Sequence, residues 1–122
     1  FIELHKVGKS HSIECYENEQ LIGGLYGLHL GSCFFGESMF SLKTNTSKFC
    51  LLYLLAILKK NNFTLLDSQF FNPHLVQFGA YEIDNGIYEK QLKKSLKKKC
   101  LFKNISNFQE ALSLLQSTNQ RS

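Results

Sequence analysis

The stretch GGLYGLHLGSCFFGESMFS, residues 23–41, alternates glycines with large apolar side chains in a pattern typical of a β-hairpin. Leu21 to Leu30 predicts one strand, Gly31-Ser32 predicts a turn, and Cys33-Phe34-Phe35 begins a further strand, which the pattern breaks at Gly36. An antiparallel hairpin is therefore the centre of the predicted fold.

The residues on either side extend this hairpin into a domain of mixed secondary structure. The predicted elements are strands at 10–16, 21–30 and from 33, a helix at 49–58, a strand at 63–66 and a helix at 87–99. Asp67 stands at the carboxyl end of the last strand, and the last helix turns Leu92 and Leu96 inward. This order predicts an α+β fold, an antiparallel-rich sheet with flanking helices.

Length and composition indicate one folded domain. The chain has 122 residues, of which 43% are hydrophobic and 20% charged, so residues 1–115 are predicted to form a single domain and 116–122 a polar tail. Its longest apolar run, residues 49–58, is about half of the roughly 20 residues that cross a bilayer. We expect a monomer located in the cytoplasm, with no membrane contact.

Potential metal ligands are scattered along the chain. The cysteines stand singly at positions 15, 33, 50 and 100, and the histidines at 5, 11, 29 and 74. No Cys-x-x-Cys pair and no His-Glu-x-x-His motif occurs. We therefore predict reduced thiols and no metal site.

Positive charge is concentrated near the C-terminal end. The net charge is +4, and seven lysines fall between Lys90 and Lys103. Such a run either contacts nucleic-acid phosphates or forms the solvated face of a helix. Composition alone leaves both interpretations open.

Several motifs beyond the hairpin carry a family resemblance. They are His11-Ser12-Ile13-Glu14, Gly23 to Ser41, Asn45-Thr46-Ser47-Lys48, Leu66-Asp67-Ser68-Gln69, His74-Leu75, Gly79-Ala80 and Glu82-Ile83. Together, over residues 4–92, the chain resembles the leucyl/phenylalanyl-tRNA–protein transferases.

This resemblance implies a fold similar to the acetyltransferase superfamily and a reaction that needs no cofactor. The amino acid of Leu-tRNA or Phe-tRNA would pass to the N-terminal Arg or Lys of an acceptor protein and mark it for degradation. Because the amino acid is already activated as an ester, such an enzyme mainly aligns the acceptor amine and removes its proton. The alternative is a non-catalytic module of the same fold that binds tRNA or a protein N-terminus.

The same resemblance assigns roles to particular residues. Asp67 and Gln69 would activate the acceptor amine, and Glu37 would recognise the acceptor's positive side chain. Taken alone, Asp67 would equally suit a helix or turn cap, and Glu37 would suit a solvent-facing strand end.

The remaining predicted contacts are apolar or basic. Leu25, Phe34, Leu51 and Leu54 match the aminoacyl pocket of the family, although apolar residues on strands and helices also form plain core. Asn72 matches a substrate contact but also suits a turn, and Lys97, Lys98 and Lys99 are the predicted tRNA contacts.

The chain departs from the family pattern in three places. The family usually carries an N-terminal domain rich in aromatic residues, including tryptophan, and we expect this domain to be missing here, because the sequence begins at Phe1 and contains no tryptophan. A fragment, an excised domain and a naturally shortened relative all fit this pattern. Asp84-Asn85 replaces a Pro-Arg pair, and Ser68 replaces a cysteine. The second departure predicts a weaker local contact with RNA.

Overall fold

The computed structural model describes residues 2–68 and 85–119, which form a five-stranded sheet and three helices. The strands are β1 (Ile2–Val7), β2 (Ser10–Glu17), β3 (Gln20–Leu30), β4 (Cys33–Ser41) and β5 (Leu65–Ser68). The helices are α1 (Thr46–Lys60), α2 (Asn85–Lys97) and α3 (Phe108–Asn119). The predicted α+β class is confirmed.

The sheet follows chain order from β1 to β5. The first four strands are antiparallel, and β5 pairs in parallel with β4. A parallel pair needs a crossover connection, and α1 provides it between β4 and β5. Tight turns join the antiparallel strands, at Gly8 between β1 and β2 and at Gly31 between β3 and β4, and both glycines have positive φ.

One face of the sheet packs against α1 to form the core. Ile13 and Leu25 lie directly opposite each other on β2 and β3, and both belong to the cluster that buries Leu51 and Leu54 of α1. α3 packs on α1, with Ala111 buried in the same cluster. Each fully buried leucine stabilises the fold by about 1.5–3 kcal/mol, so this layer holds the sheet in place.

Several sequence predictions differ from the structure. β1 and α3 were not predicted, and Gln116 to Asn119 of the predicted tail belong to α3. Gly36 does not end its strand, because it pairs with Gly27 next to a bulge and β4 continues to Ser41. β5 begins two residues later than predicted, so Asp67 lies within the strand and is followed by Ser68.

Of the two leucines predicted to face inward on α2, Leu92 is half-buried but Leu96 is not. Leu96 is 43% exposed, whereas the neighbouring Ser95 is 4% exposed. Ser95 faces inward because its side-chain hydroxyl is 2.6 Å from that of Thr64, while its carbonyl accepts a hydrogen bond from the backbone N–H of Ser32. Polar contacts to the turn before β4, rather than a leucine, dock the end of this helix.

Two histidines, His11 buried and His29 half-buried, contact each other in an aromatic cluster at one end of the sheet. His11 Nε2 lies 2.6 Å from His29 Nδ1, and Phe102 stacks on His11 at 3.9 Å between ring centroids. One imidazole must donate and the other accept, so the bond is lost when both rings are protonated. Burial first, and then the charges of His29 and Lys6, lower the pKa of His11 from 6.5 to about 4.

This pair predicts loss of stability in mild acid. The folded pKa of His11 lies below its unfolded value, so its contribution is present above pH 6.5 and lost as the pH falls toward 4. We expect the free energy of unfolding to fall by about 2 kcal/mol from pH 8 to pH 5, measured by urea denaturation. His11→Phe keeps a ring against Phe102 and should flatten this dependence. An unchanged dependence in His11→Phe would exclude the histidine pair as its cause.

Candidate active site

A cleft of about 220 Å³ opens on the sheet face opposite α1. It crosses three adjacent strands, because Phe35 of β4 pairs with Leu28 of β3 on one side and with Asp67 of β5 on the other. Its lining consists of Leu28, Leu30, Phe35, Gly36, Glu37 and Asp67. An apolar floor with two carboxylic acids is thus presented to solvent.

Asp67 is held at the wall of the cleft by α2. The hydroxyl of Tyr88, in the first turn of this helix, donates a hydrogen bond of 2.5 Å to Asp67 Oδ2. That hydrogen bond, followed by burial, raises the pKa of Tyr88 to about 12. The hydroxyl therefore stays a donor at neutral pH, and the carboxylate retains further lone pairs for another partner.

A buried thiol lies close to Asp67. Cys33, the residue that begins β4, is fully buried. Burial first, and then the negative charge of Asp67, raise the pKa of this thiol to about 12. The thiol stays protonated at neutral pH and is a poor nucleophile, since the reactive form of cysteine is the thiolate. Cys33 therefore lies buried behind Asp67 and does not line the cleft.

Glu37 reaches the cleft through a β-bulge. Tyr26 pairs with Ser38 and Gly27 pairs with Gly36, so Glu37 is the extra residue of β4. Such bulges redirect a side chain next to functional sites. Glu37 is exposed at the rim, where its carboxylate meets solvent and any ligand that enters the cleft.

The predicted pocket residues lie elsewhere. Leu25, Phe34, Leu51 and Leu54 are at most 3% exposed and belong to the core on the α1 face. Alternation along β4 explains the separation, since Phe34 and Phe35 point to opposite faces of the sheet. The structure thus brings Glu37 and Asp67 together but not these four side chains, and Gln69 and Asn72 lie outside the described residues.

Tyr88 is the site residue that sequence reasoning missed. It lies four residues before Leu92, on the same helical stripe that was predicted to face inward. A tyrosine at the start of an inward-facing stripe places its hydroxyl near the edge of the buried face. Its position on this stripe could therefore have indicated Tyr88 from the sequence.

The predicted tRNA contacts are exposed on and beyond the same helix. Lys97 ends α2, Lys98 and Lys99 follow it, and all three side chains are exposed. Lys98 Nζ donates to the carbonyl of Asn62 at 2.8 Å. Lys97 lies nine residues from Tyr88, about 14 Å along the helix axis, so α2 links the cleft to a basic surface.

A larger cavity, of about 490 Å³, lies between the sheet edge, α1 and α3. Its lining is Ile2, Cys15, Phe49, Tyr53, Ser106, Asn107 and Phe108. This lining contains no carboxylate, imidazole or lysine. Its surface is mainly apolar, with the Cys15 thiol and the Tyr53 hydroxyl as its titratable groups, so the smaller cleft with its two carboxylic acids is the better candidate for a reaction.

Among residues 2–68 and 85–119, three potential metal ligands come together on β1 and β2, where His5 is exposed and Glu3 and Glu14 are half-buried. His5 Nε2 lies 3.0 Å from Glu3 Oε2 and 3.3 Å from Glu14 Oε1. Tyr16 also donates to Glu14, at 2.5 Å. The three side chains contact one another on β1 and β2, at the opposite edge of the sheet from Asp67 of β5.

Comparison with known proteins shows the family of this chain. Residues 1–93 match the family model of leucyl/phenylalanyl-tRNA protein transferase. The chain belongs to this family. The matched range includes Glu37, Asp67 and Tyr88, whereas the lysines at 97–99 lie beyond it.

Individual transferases of this family are similar over most or all of the chain. One from Hyphomonas neptunium is 52% identical over 94 residues, which are 77% of this chain and 36% of that protein. One from Prosthecochloris aestuarii is 50% identical over 102 residues, 84% of this chain and 53% of the relative. One from Cereibacter sphaeroides is 42% identical over all 122 residues and 57% of its own length. The chain therefore spans between about a third and somewhat more than half of these relatives.

Among residues 2–68 and 85–119 no helix is long and apolar enough to cross a membrane. The longest apolar helix is α1, with 15 residues, and the core cluster buries most of its apolar side chains.

Proposed function

We propose that this chain carries the transfer site of an aminoacyltransferase of the leucyl/phenylalanyl-tRNA–protein transferase family. The substrates would be Leu-tRNA or Phe-tRNA and a protein with N-terminal Arg or Lys, which the reaction marks for degradation in the cytoplasm. The observation that carries the proposal is the solvent-open cleft that holds Asp67 against Tyr88, with Glu37 at its rim, inside the matched range.

The chemistry requires removal of a proton from the acceptor. The acceptor's α-ammonium becomes a nucleophile only as the free amine, whose nitrogen attacks the ester carbonyl carbon of the aminoacyl-tRNA. The ester C–O bond then breaks, and the 3′-terminal ribose oxygen leaves with a proton. Asp67 is the proposed acceptor of the ammonium proton, because its carboxylate is a base and lines the cleft. In the proposal, Gln69 acts together with Asp67 in activating the acceptor amine.

Binding in the cleft would place both substrates. Glu37 at the rim would pair with the guanidinium or ammonium of the acceptor's first residue. The apolar floor of Leu28, Leu30 and Phe35 suits a leucyl or phenylalanyl side chain. Leu25, Phe34, Leu51 and Leu54 lie in the core of the same sheet and stay a prediction as pocket residues, as does Asn72.

The test is transfer of radiolabelled leucine from leucyl-tRNA by the 122-residue chain. The acceptor would be a model protein beginning with arginine, and the matched control would be the same protein beginning with aspartate. We expect labelling of the first acceptor only, because Glu37 would repel an acidic first residue. A chain that is folded by circular dichroism but labels neither acceptor would contradict the proposal.

The lysines at the end of α2 predict how tRNA is held. Changing Lys97, Lys98 and Lys99 together to alanine should weaken tRNA binding and reduce the slope of log affinity against log salt by about 2–3. Lys43→Ala, which removes an exposed lysine paired with Glu17, is the matched control. Filter binding between 50 and 200 mM salt measures both effects. An unchanged slope in the triple variant would show that these lysines are only a solvated surface.

A further inference from the structure

The Tyr88 hydroxyl and the Asp67 carboxylate form one unit that joins two distant parts of the chain. Tyr88 lies 21 residues beyond Asp67 and approaches it from a different element, the first turn of α2. A hydrogen bond to an ionised acceptor is about twice as strong as one between neutral groups. This bond therefore restricts the orientation of the carboxylate in the cleft.

The opposite end of α2 is anchored independently. The Ser32 hydroxyl donates to the carbonyl of Ser95 at 3.0 Å, and it lies 2.5 Å from the hydroxyl of Thr64. The backbone N–H of Ser32 donates to the same carbonyl at 2.8 Å. Ser32 and Thr64 directly precede β4 and β5, the strands that carry Glu37 and Asp67. The helix is thereby fixed to the strands that form the site.

We propose that Tyr88 is a positioning residue of the transfer reaction, which holds Asp67 Oδ2 so that the other carboxylate oxygen receives the acceptor's proton. Tyr88 does so without contacting the reacting atoms. This inference rests on the proposed function, since Asp67 is the proton acceptor only in that reaction. The inference adds a residue of α2 to the proposed site. It also assigns a separate role to each oxygen of the Asp67 carboxylate.

The chain contains a matched control for this bond. The Tyr16 hydroxyl donates to Glu14 Oε1 at 2.5 Å, the same pairing of groups at the same length. It lies on β2, away from the cleft. Tyr16→Phe and Tyr88→Phe thus remove equivalent hydrogen bonds, and only the second belongs to the proposed site.

The kinetic experiment compares the two variants in leucine transfer. Tyr88→Phe should lower kcat about tenfold, as loss of one hydrogen bond to a charged group would, with little change in KM for the acceptor. Tyr16→Phe should change neither. In an Asp67→Asn background, Tyr88→Phe should add no further loss. A full additional tenfold loss there, or an unchanged kcat in the single variant, would overturn the proposal.

A measurement without activity separates this proposal from the proposed function. The pKa of Tyr88, raised to about 12 by its bond to Asp67, should fall toward 10 in Asp67→Asn. NMR of tyrosine labelled with ¹³C at the ring carbon bearing the hydroxyl would follow this, with the Tyr88 signal identified by its loss in Tyr88→Phe. A signal that titrates identically in both proteins would overturn the positioning role. A wild-type chain without transfer activity would instead contradict the proposed function.

Discussion

Replacing Asp67 with asparagine is expected to lower the rate of leucine transfer by about 10²–10⁴-fold, the usual contribution of a positioned general base. Asparagine keeps the size of the side chain, and its amide oxygen still accepts a hydrogen bond from Tyr88. It does not accept the acceptor's proton at neutral pH. The measurement is the single-turnover rate with saturating leucyl-tRNA, so that the affinity for leucyl-tRNA does not affect the measured rate.

Two controls give this result its meaning. Binding of tRNA by Asp67→Asn should equal that of the wild type, because the change leaves the basic surface of α2 intact. Glu17→Gln, which neutralises an exposed carboxylate paired with Lys43 at the end of β2, should transfer leucine at the wild-type rate. A rate within twofold of wild type in Asp67→Asn would indicate the alternative, a module that binds without catalysing transfer.

Replacing Gly31 with alanine is expected to destabilise the fold by about 2–5 kcal/mol. Gly31 has a φ of 56°, a conformation that costs a residue with a side chain about 1–2 kcal/mol. A Cβ atom here would also lie 2.5 Å from the carbonyl oxygen of Ser95 and 2.7 Å from the Cα atom of Leu96. Both are backbone atoms of α2 and move only with the helix. Forced repacking of this kind costs about 1–3 kcal/mol more.

Gly8→Ala is the matched control for Gly31→Ala. Gly8 has a φ of 61° in the turn between β1 and β2, and a Cβ atom there would meet nothing within 4 Å. It should therefore show only the conformational cost, about 1–2 kcal/mol. Urea denaturation of both variants isolates the packing between this turn and α2. Equal losses would contradict the close approach of α2 to Gly31.

Gly31→Ala should also lower transfer in the fraction that remains folded. Moving the end of α2 away from the turn displaces the helix whose first turn carries Tyr88. Gly8→Ala leaves this helix in place and should keep its activity. Gly31→Ala would thus lower transfer because the displaced Tyr88 no longer positions Asp67.

The sequence alone determined the elements whose signals are local. Alternating apolar residues and polar turns predicted β2 and β3, and the long apolar run predicted α1. The family motifs also predicted Glu37 and Asp67 as site residues, each separately. β1 escaped prediction because its residues alternate with charged side chains over only 6 positions, and its stability comes from pairing with β2.

The tertiary structure decided which of these residues meet. Glu37 faces the cleft because a register shift makes it a bulge, and Asp67 joins it because β5 pairs with β4 in parallel. No local pattern encodes that pairing, since it depends on how α1 returns the chain to the sheet.

The orientation of α2 is also not encoded by its local pattern, as one residue shows. Helical periodicity favoured Leu96 as the buried residue near the end of the helix, but the adjacent Ser95, about 100° away around the helix axis, is buried instead. Gly31 allows the backbone of α2 to approach closely, and the hydroxyls of Ser32 and Thr64 satisfy its polar groups. These partners are more than 30 residues away in the sequence, so the contact that directs Tyr88 to Asp67 exists only in the folded chain.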